Sequence, residues 1–110
     1  MAGWYELRTN DKGQYSFVLK SENGEVILRS EQYKGKDSAM KGIASVQKNS
    51  LLEERYNRKE ASDGRSYFNL KAGNYQIIGT SQMYKSAAGR DAGIESVKTD
   101  GQTSVIRTVV

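Results

Sequence analysis

Polar and apolar positions alternate along the first thirty residues, change to a helical spacing, and then go through the same cycle again. Trp4 to Arg8 reads as a short first strand, stopped by the turn-formers Thr9, Asn10, Asp11, Lys12 and Gly13. Gln14 to Lys20 alternates, with Tyr15, Phe17 and Leu19 on one face and Ser16, Val18 and Lys20 on the other. Asn23-Gly24 tolerates positive φ and predicts a hairpin turn into a third strand, Glu25 to Arg29. The period then lengthens: Ala39, Gly42, Ile43 and Val46 fall at i, i+3, i+4 and i+7, the apolar stripe of a helix. Gly35 is placed to start that helix, and Asp37 and Lys41 are spaced for an i,i+4 ion pair along it.

Shifting the chain by 51 residues lays this pattern on a second copy without a gap. From Tyr5 on Tyr56 to Val46 on Val97 there are 14 identities over the 44 aligned positions 5 to 48. The second copy has strands at Arg55–Lys59, Arg65–Lys71 and Gln76–Gly79, then a helix with Gly93, Ile94 and Val97 in the stripe. Ser86 is its N-cap, a better one than Gly35 because its hydroxyl accepts a backbone N–H. Glycine inside a helix costs ~0.5–1 kcal/mol relative to alanine, so Gly42 and Gly93 at the same place predict close packing there. Residues 103–110 include Val105, Ile106, Val109 and Val110, which favour a closing strand. Each unit is then β-β-β-α-β, with residues 55–59 closing one unit and opening the next.

The resulting expectation is an α+β fold in one compact domain, residues 1–110, made of two repeats at about 3–51 and 54–110. Phe17, Leu19, Ile27, Ile43 and Val46 and their counterparts Phe68, Leu70, Ile78, Ile94 and Val97 are expected to fill a shared core. Leu, Ile, Val and Phe supply only 21 of 110 residues, a fraction close to the ~20% that warns of disorder in highly charged chains. The net charge is only +4, and seven Tyr and one Trp add apolar bulk, so the chain is expected to fold. That charge is spread evenly, eight basic and six acidic groups in residues 1–51 against nine and seven in 52–110.

Absences narrow the chemistry. There is no Cys, hence no disulfide, thiol nucleophile or cysteine metal site. Without His, a Ser-His-Asp triad and the commonest general base are both missing. No apolar run approaches the ~18–20 residues of a membrane span, and no signal-peptide pattern opens the chain. The expectation is a cytoplasmic protein with no cofactor and no membrane partner, present as a monomer or homodimer.

The segments Phe17-Val18-Leu19-Lys20, Asn23-Gly24-Glu25, Ile27-x-x-Ser30-Glu31-x-Tyr33, Lys36-x-x-Ala39 and Gly42-Ile43-x-Ser45-Val46 resemble the YegP family. The second copy matches through Phe68-x-Leu70-Lys71-Ala72, Ile78-x-x-Ser81-Gln82-x-Tyr84 and Gly93-Ile94-x-Ser96-Val97. It departs at Asn74-Tyr75-Gln76 and at Arg90, which replaces Ala39. These are small bacterial proteins of unknown function, built from one or two copies of a domain of about 50 residues. The resemblance implies one antiparallel sheet with two helices packed on it and C-terminal strands exchanged between the repeats; it implies no activity.

The most site-like residues are duplicated. Ser30, Tyr33 and Lys34, with Lys36, and again Ser81, Tyr84 and Lys85, stand just before a helix N-terminus, where free N–H groups attract anions. They also have a structural reading, which is preferred: Ser ends the strand, Tyr packs under the helix and Lys is solvated. Arg55 and Arg58 flank Tyr56, and a sheet left open on one side with Tyr, Arg and Lys can stack bases and track phosphates. Enzymatic readings are weaker. Glu31, Asp37, Glu53 and Glu54 offer carboxylates, and Ser45 or Ser96 would need a Lys partner. The sequence therefore favours a non-catalytic binding module for nucleic acid or another anion. An association module is the alternative, and an enzyme with carboxylate or Ser/Lys chemistry a distant third.

Overall fold

The computed structural model describes residues 3–109. Ten elements follow the expected order: β1 (Trp4–Thr9), β2 (Tyr15–Lys20), β3 (Val26–Arg29), α1 (Lys36–Asn49), β4 (Tyr56–Glu60), β5 (Ser66–Lys71), β6 (Ile77–Thr80), α2 (Ala87–Asp100) and β7 (Ile106–Val109), with one 3-10 turn, Glu53–Arg55, before β4. Val110, the end of the expected closing strand segment, lies outside the described residues.

All seven strands form one sheet in the order β4-β5-β6-β3-β2-β1-β7, with the two meanders joined through β3 and β6. The sheet is mixed rather than wholly antiparallel. β7 lies parallel to β1, with Tyr5 opposite Ile106 and Leu7 opposite Thr108. The reason is topological: α2 carries the chain back over the sheet, so β7 enters beside β1 in the same direction. The closing strand of the second repeat thus completes the first, the expected exchange. Tyr5 donates its N–H to Val105 O (2.9 Å) and its hydroxyl to Gly101 O (2.9 Å). The equivalent Tyr56 hydroxyl reaches Ser50 O at 2.6 Å.

Both helices cover the same sheet face and cross the repeat boundary, α1 resting on β2, β5 and β6 and α2 on β5, β3 and β2. One apolar cluster joins the repeats and contains all ten expected core residues, together with Tyr5, Leu7, Leu28, Ala39 and Tyr56. Gly35 and Ser86 are the N-caps, and Ser86 accepts from Gly89 N. Asp37 and Lys41 are both exposed and make no ion pair, since an exposed pair of this kind offers only ~0.3–0.5 kcal/mol. At the turns Gly24 has φ +86°, whereas its counterpart Tyr75 holds φ +69°, a left-handed backbone on a residue with a Cβ.

Candidate functional site: the open face of the sheet

The duplicated Ser/Tyr/Lys groups are separated by the fold into different tasks. Ser30 Oγ accepts from Phe17 N (2.8 Å) and donates to Glu31 O, and Ser81 does the same with Phe68 N (3.0 Å) and Gln82 O. Each serine replaces a strand carbonyl where the ladder ends. Tyr33 exchanges backbone hydrogen bonds with Tyr15, and Tyr84 with Ser66. The Tyr33 ring stacks on Phe17 at 6.2 Å, and both tyrosine side chains run under their helices against Gly42 and Gly93. Burial raises both phenol pKa values, with Glu31 adding for Tyr33 and Glu25 for Tyr84. Gln82 approaches the Tyr84 hydroxyl and opposes that rise, yet without hydrogen-bond geometry, so this enclosed oxygen has no partner. Lys34, Lys36 and Lys85 are exposed and make no ion pair among the described residues.

Arg55 and Arg58 are also tied to the helix side. Arg55 Nε donates to Asn49 Oδ1 (2.9 Å). Arg58 bridges Glu53 (2.6 Å) and Asp91 (3.2 Å), while Lys98 meets Glu53 at 2.7 Å. Hydrogen bonds from Arg58 and then Lys98 hold the Glu53 carboxyl down to about 2, so it stays ionised and is poorly suited to proton transfer. The helix side also holds a cavity of about 680 Å³ between the β2–β3 turn and α2. Its lining includes Glu22, Glu25, Glu95 and Asp100 and no basic residue. At the matching positions of the other repeat stand Gly73, Gln76, Ala44 and Asn49. Duplication has been followed by divergence here, and the acidic lining repels anions.

The opposite sheet face is basic. Because Tyr5, Leu7, Phe17, Leu19, Tyr56, Phe68 and Leu70 point into the core, the alternate residues face away from the helices. That face carries Arg107 on β7, Arg8 on β1, Lys20 on β2, Arg29 on β3, Lys71 on β5 and Lys59 on β4: one cation on every strand but β6. Glu6 is the one strand carboxylate among them. With 17 basic and 13 acidic residues in the chain, this leaves eleven against twelve elsewhere. Charge that is even along the sequence is therefore segregated in space.

Glu6 organises one end of this face. It accepts from Trp4 Nε1 (2.9 Å) and Arg8 Nη2 (3.0 Å) and pairs with Lys20 Nζ (3.2 Å). The indole hydrogen bond, then those from Arg8 and Lys20, pull its carboxyl down to about 2. Arg107 lies over the Trp4 ring, 4.4 Å from its centroid. Tyr67, opposite Lys59, is the other aromatic residue of the strands on this face. Lys20 and Lys71 fall inside the repeated motif segments and Lys59 beside Arg58, but no motif marks them, or Trp4, Arg8, Arg29, Tyr67 and Arg107, as one group, because they are scattered over the sequence. The available signal was alternation: each sits on the polar side of its strand.

The pattern of the family described as "Domain of unknown function (DUF1508)" matches residues 10–57 and 61–107. A UPF0339 protein of Shewanella oneidensis is 58% identical over 107 residues, covering 97% of both chains. The UPF0339 protein YegP of Escherichia coli K12 is 57% identical over 107 residues, again covering 97% of both. A solution NMR structure of E. coli yegP, described as a protein of unknown function, superimposes with a TM-score of 0.93 at 56% identity, covering 98% of this chain and 93% of that one. The solution NMR structure of a Shewanella oneidensis UPF0339 protein gives 0.93 at 57% identity, covering 98% and 92%.

Proposed function

The chain belongs to the UPF0339 (YegP) family of paired DUF1508 domains, and from that premise we propose a non-catalytic binding module that holds an anionic polymer on the open face of its sheet. The observation that carries this reading is the staggered row of cations from Arg107 to Lys59, one per strand on six of seven strands, with Glu6 the one carboxylate among the described strand residues of that face. Arg29, Lys59, Lys71 and Arg107 have no ion-pair partner among the described residues, so their charge is available to a ligand. Neighbouring strands lie ~4.8 Å apart, so the row extends roughly 29 Å across the sheet. That suits an extended polyanion better than a small anion. Two of the groups considered for catalysis are engaged elsewhere: Glu53 is held by two cations, and Ser45 Oγ accepts from Asn49.

Binding of inorganic polyphosphate, measured against salt, tests this. The four unpaired cations, with or without Arg8 and Lys20, give a slope of about −3 to −4 for log affinity against log salt. The triple variant Lys20→Glu/Arg29→Glu/Lys71→Glu should abolish binding. The helix-side triple variant Lys34→Glu/Lys36→Glu/Lys85→Glu should leave it within about threefold, the range expected of distant charges in ~0.1 M salt. Loss of binding in the helix-side variant alone, or a salt-independent affinity, would overturn the reading in favour of the helix N-termini or of an association module.

A further inference from the structure

Resting on that polyanion reading, we propose that the polymer is single-stranded nucleic acid, its phosphates tracked by the cation row and a base stacked at the Trp4–Arg107 end. Three observations favour this over an anionic polymer without bases.

First, the end of the row at β1 and β7 is a cluster of planar side chains tied to one another. Trp4 is locked by its Nε1 bond to Glu6, and that same carboxylate fixes Arg8 and Lys20 beside it. With the indole N–H already used, what Trp4 offers is π surface. The Arg107 guanidinium covers one face of that half-buried ring, so a base on that side stacks on the outer plane of the guanidinium with the indole behind it. Sulfate or phosphate groups alone have no use for such a platform. Its side chains are already ordered, so little rotamer entropy is lost on binding.

Second, the geometry selects single strands. Base faces are hidden in a duplex, and the major groove admits a helix or a two-stranded ribbon, not a seven-stranded sheet. A strand running across the sheet has Arg107 and Arg29 on its central line and Arg8, Lys71, Lys20 and Lys59 two residues to either side, within reach of phosphates on a flexible chain. The row is long enough for a site near the lower end of the ~4–16 nucleotides seen for comparable sheet modules.

Third, the platform exists once. At the positions matching Trp4 and Glu6 the second repeat has Arg55 and Asn57, and Arg55 is bonded to Asn49 instead. Arg107 reaches Trp4 only because β7 is exchanged onto β1. The bound strand therefore has a stacked end, at β1 and β7, and an end at β4 held by charge.

Trp4 is the only tryptophan, which makes it the reporter. The full chain is titrated in low salt with a ten-residue oligo(dT), a ten-residue oligo(U), the duplex of oligo(dT) with oligo(dA), and polyphosphate of matching charge. Either single strand should quench Trp4 fluorescence and bind at least tenfold tighter than polyphosphate or duplex. By anisotropy of labelled oligonucleotide, Trp4→Ala should lose about tenfold for the single strands and less than twofold for polyphosphate, with Trp4→Phe restoring most of the loss. Circular dichroism checks that each variant is folded. Equal affinity for single strands and polyphosphate, or equal effects of Trp4→Ala on both, overturns the stacking inference and leaves the polyanion reading standing. Duplex binding as tight as single strand also overturns it. Salt-independent or absent binding of every probe removes the polyanion reading itself.

Discussion

Replacing Gly93 by alanine sets two effects of known size against each other. In a helix interior alanine is worth about 0.5–1 kcal/mol over glycine. A methyl group on Gly93, however, would stand 2.2 Å from Tyr84 Oη and 2.6 Å from its Cζ. Tyr84 has little freedom to move away, because its backbone exchanges two hydrogen bonds with Ser66 (2.9 and 2.7 Å) and its hydroxyl is enclosed. Forcing an extra carbon into such a site costs about 1–3 kcal/mol. The expected balance is a loss of about 1–2 kcal/mol, or roughly 4–10 °C in melting temperature for a chain of this size. Tyr84→Phe alone removes a buried hydroxyl that has no partner, a group that costs about 1–3 kcal/mol to bury, so this variant should be at least as stable as the parent. Combined with Gly93→Ala it should recover half the loss or more. Urea unfolding followed by circular dichroism measures all three variants. The reasoning fails if Gly93→Ala melts above the parent, for then propensity outweighs contact and Tyr84 does not constrain the helix. It fails equally if Tyr84→Phe brings no recovery. Gly42→Ala is the harsher case, because its methyl would also meet the fully buried Phe17 ring at 2.9 Å.

Truncation after Gln102 removes β7 and leaves the β1 edge and the Tyr5 N–H unpaired. It should lower stability by several kcal/mol and promote self-association, which a melting curve and gel filtration will register; an unchanged melt would refute the role of the exchanged strand. Tyr75→Gly relieves a left-handed backbone worth about 1–2 kcal/mol, offset partly by the flexibility of glycine when unfolded. A net gain of about 0.5–1 kcal/mol in urea unfolding is expected, and a loss would mean that the exposed Tyr75 side chain makes contacts outweighing the strain.

The local elements and the duplication were legible because both are written in short-range spacing. Alternation at Tyr15 to Lys20, the Asn23-Gly24 turn and the Ala39-Gly42-Ile43-Val46 stripe depend on residues within a few positions of one another. The ten core residues followed, since an apolar side of a strand or helix has to be buried wherever the strand or helix ends up. Close packing at Gly42 and Gly93 was also readable, although the group lying against each glycine is a tyrosine from the preceding loop. Strand direction was not. Whether β7 runs parallel or antiparallel to β1 depends on how α2 returns over the sheet, which no neighbouring residue encodes. The site was equally hidden. Lys34, Lys85 and Arg58 stood out because they adjoin Tyr or a helix start, yet Arg58 is spent on Glu53 and Asp91. Arg107, Glu6, Lys20, Arg29, Lys71 and Lys59 are far apart in sequence, and their charges add up only once seven strands are laid side by side. Even charge along the chain and a basic face in space are compatible because burial sorts residues by side, and side is a property of the assembled sheet.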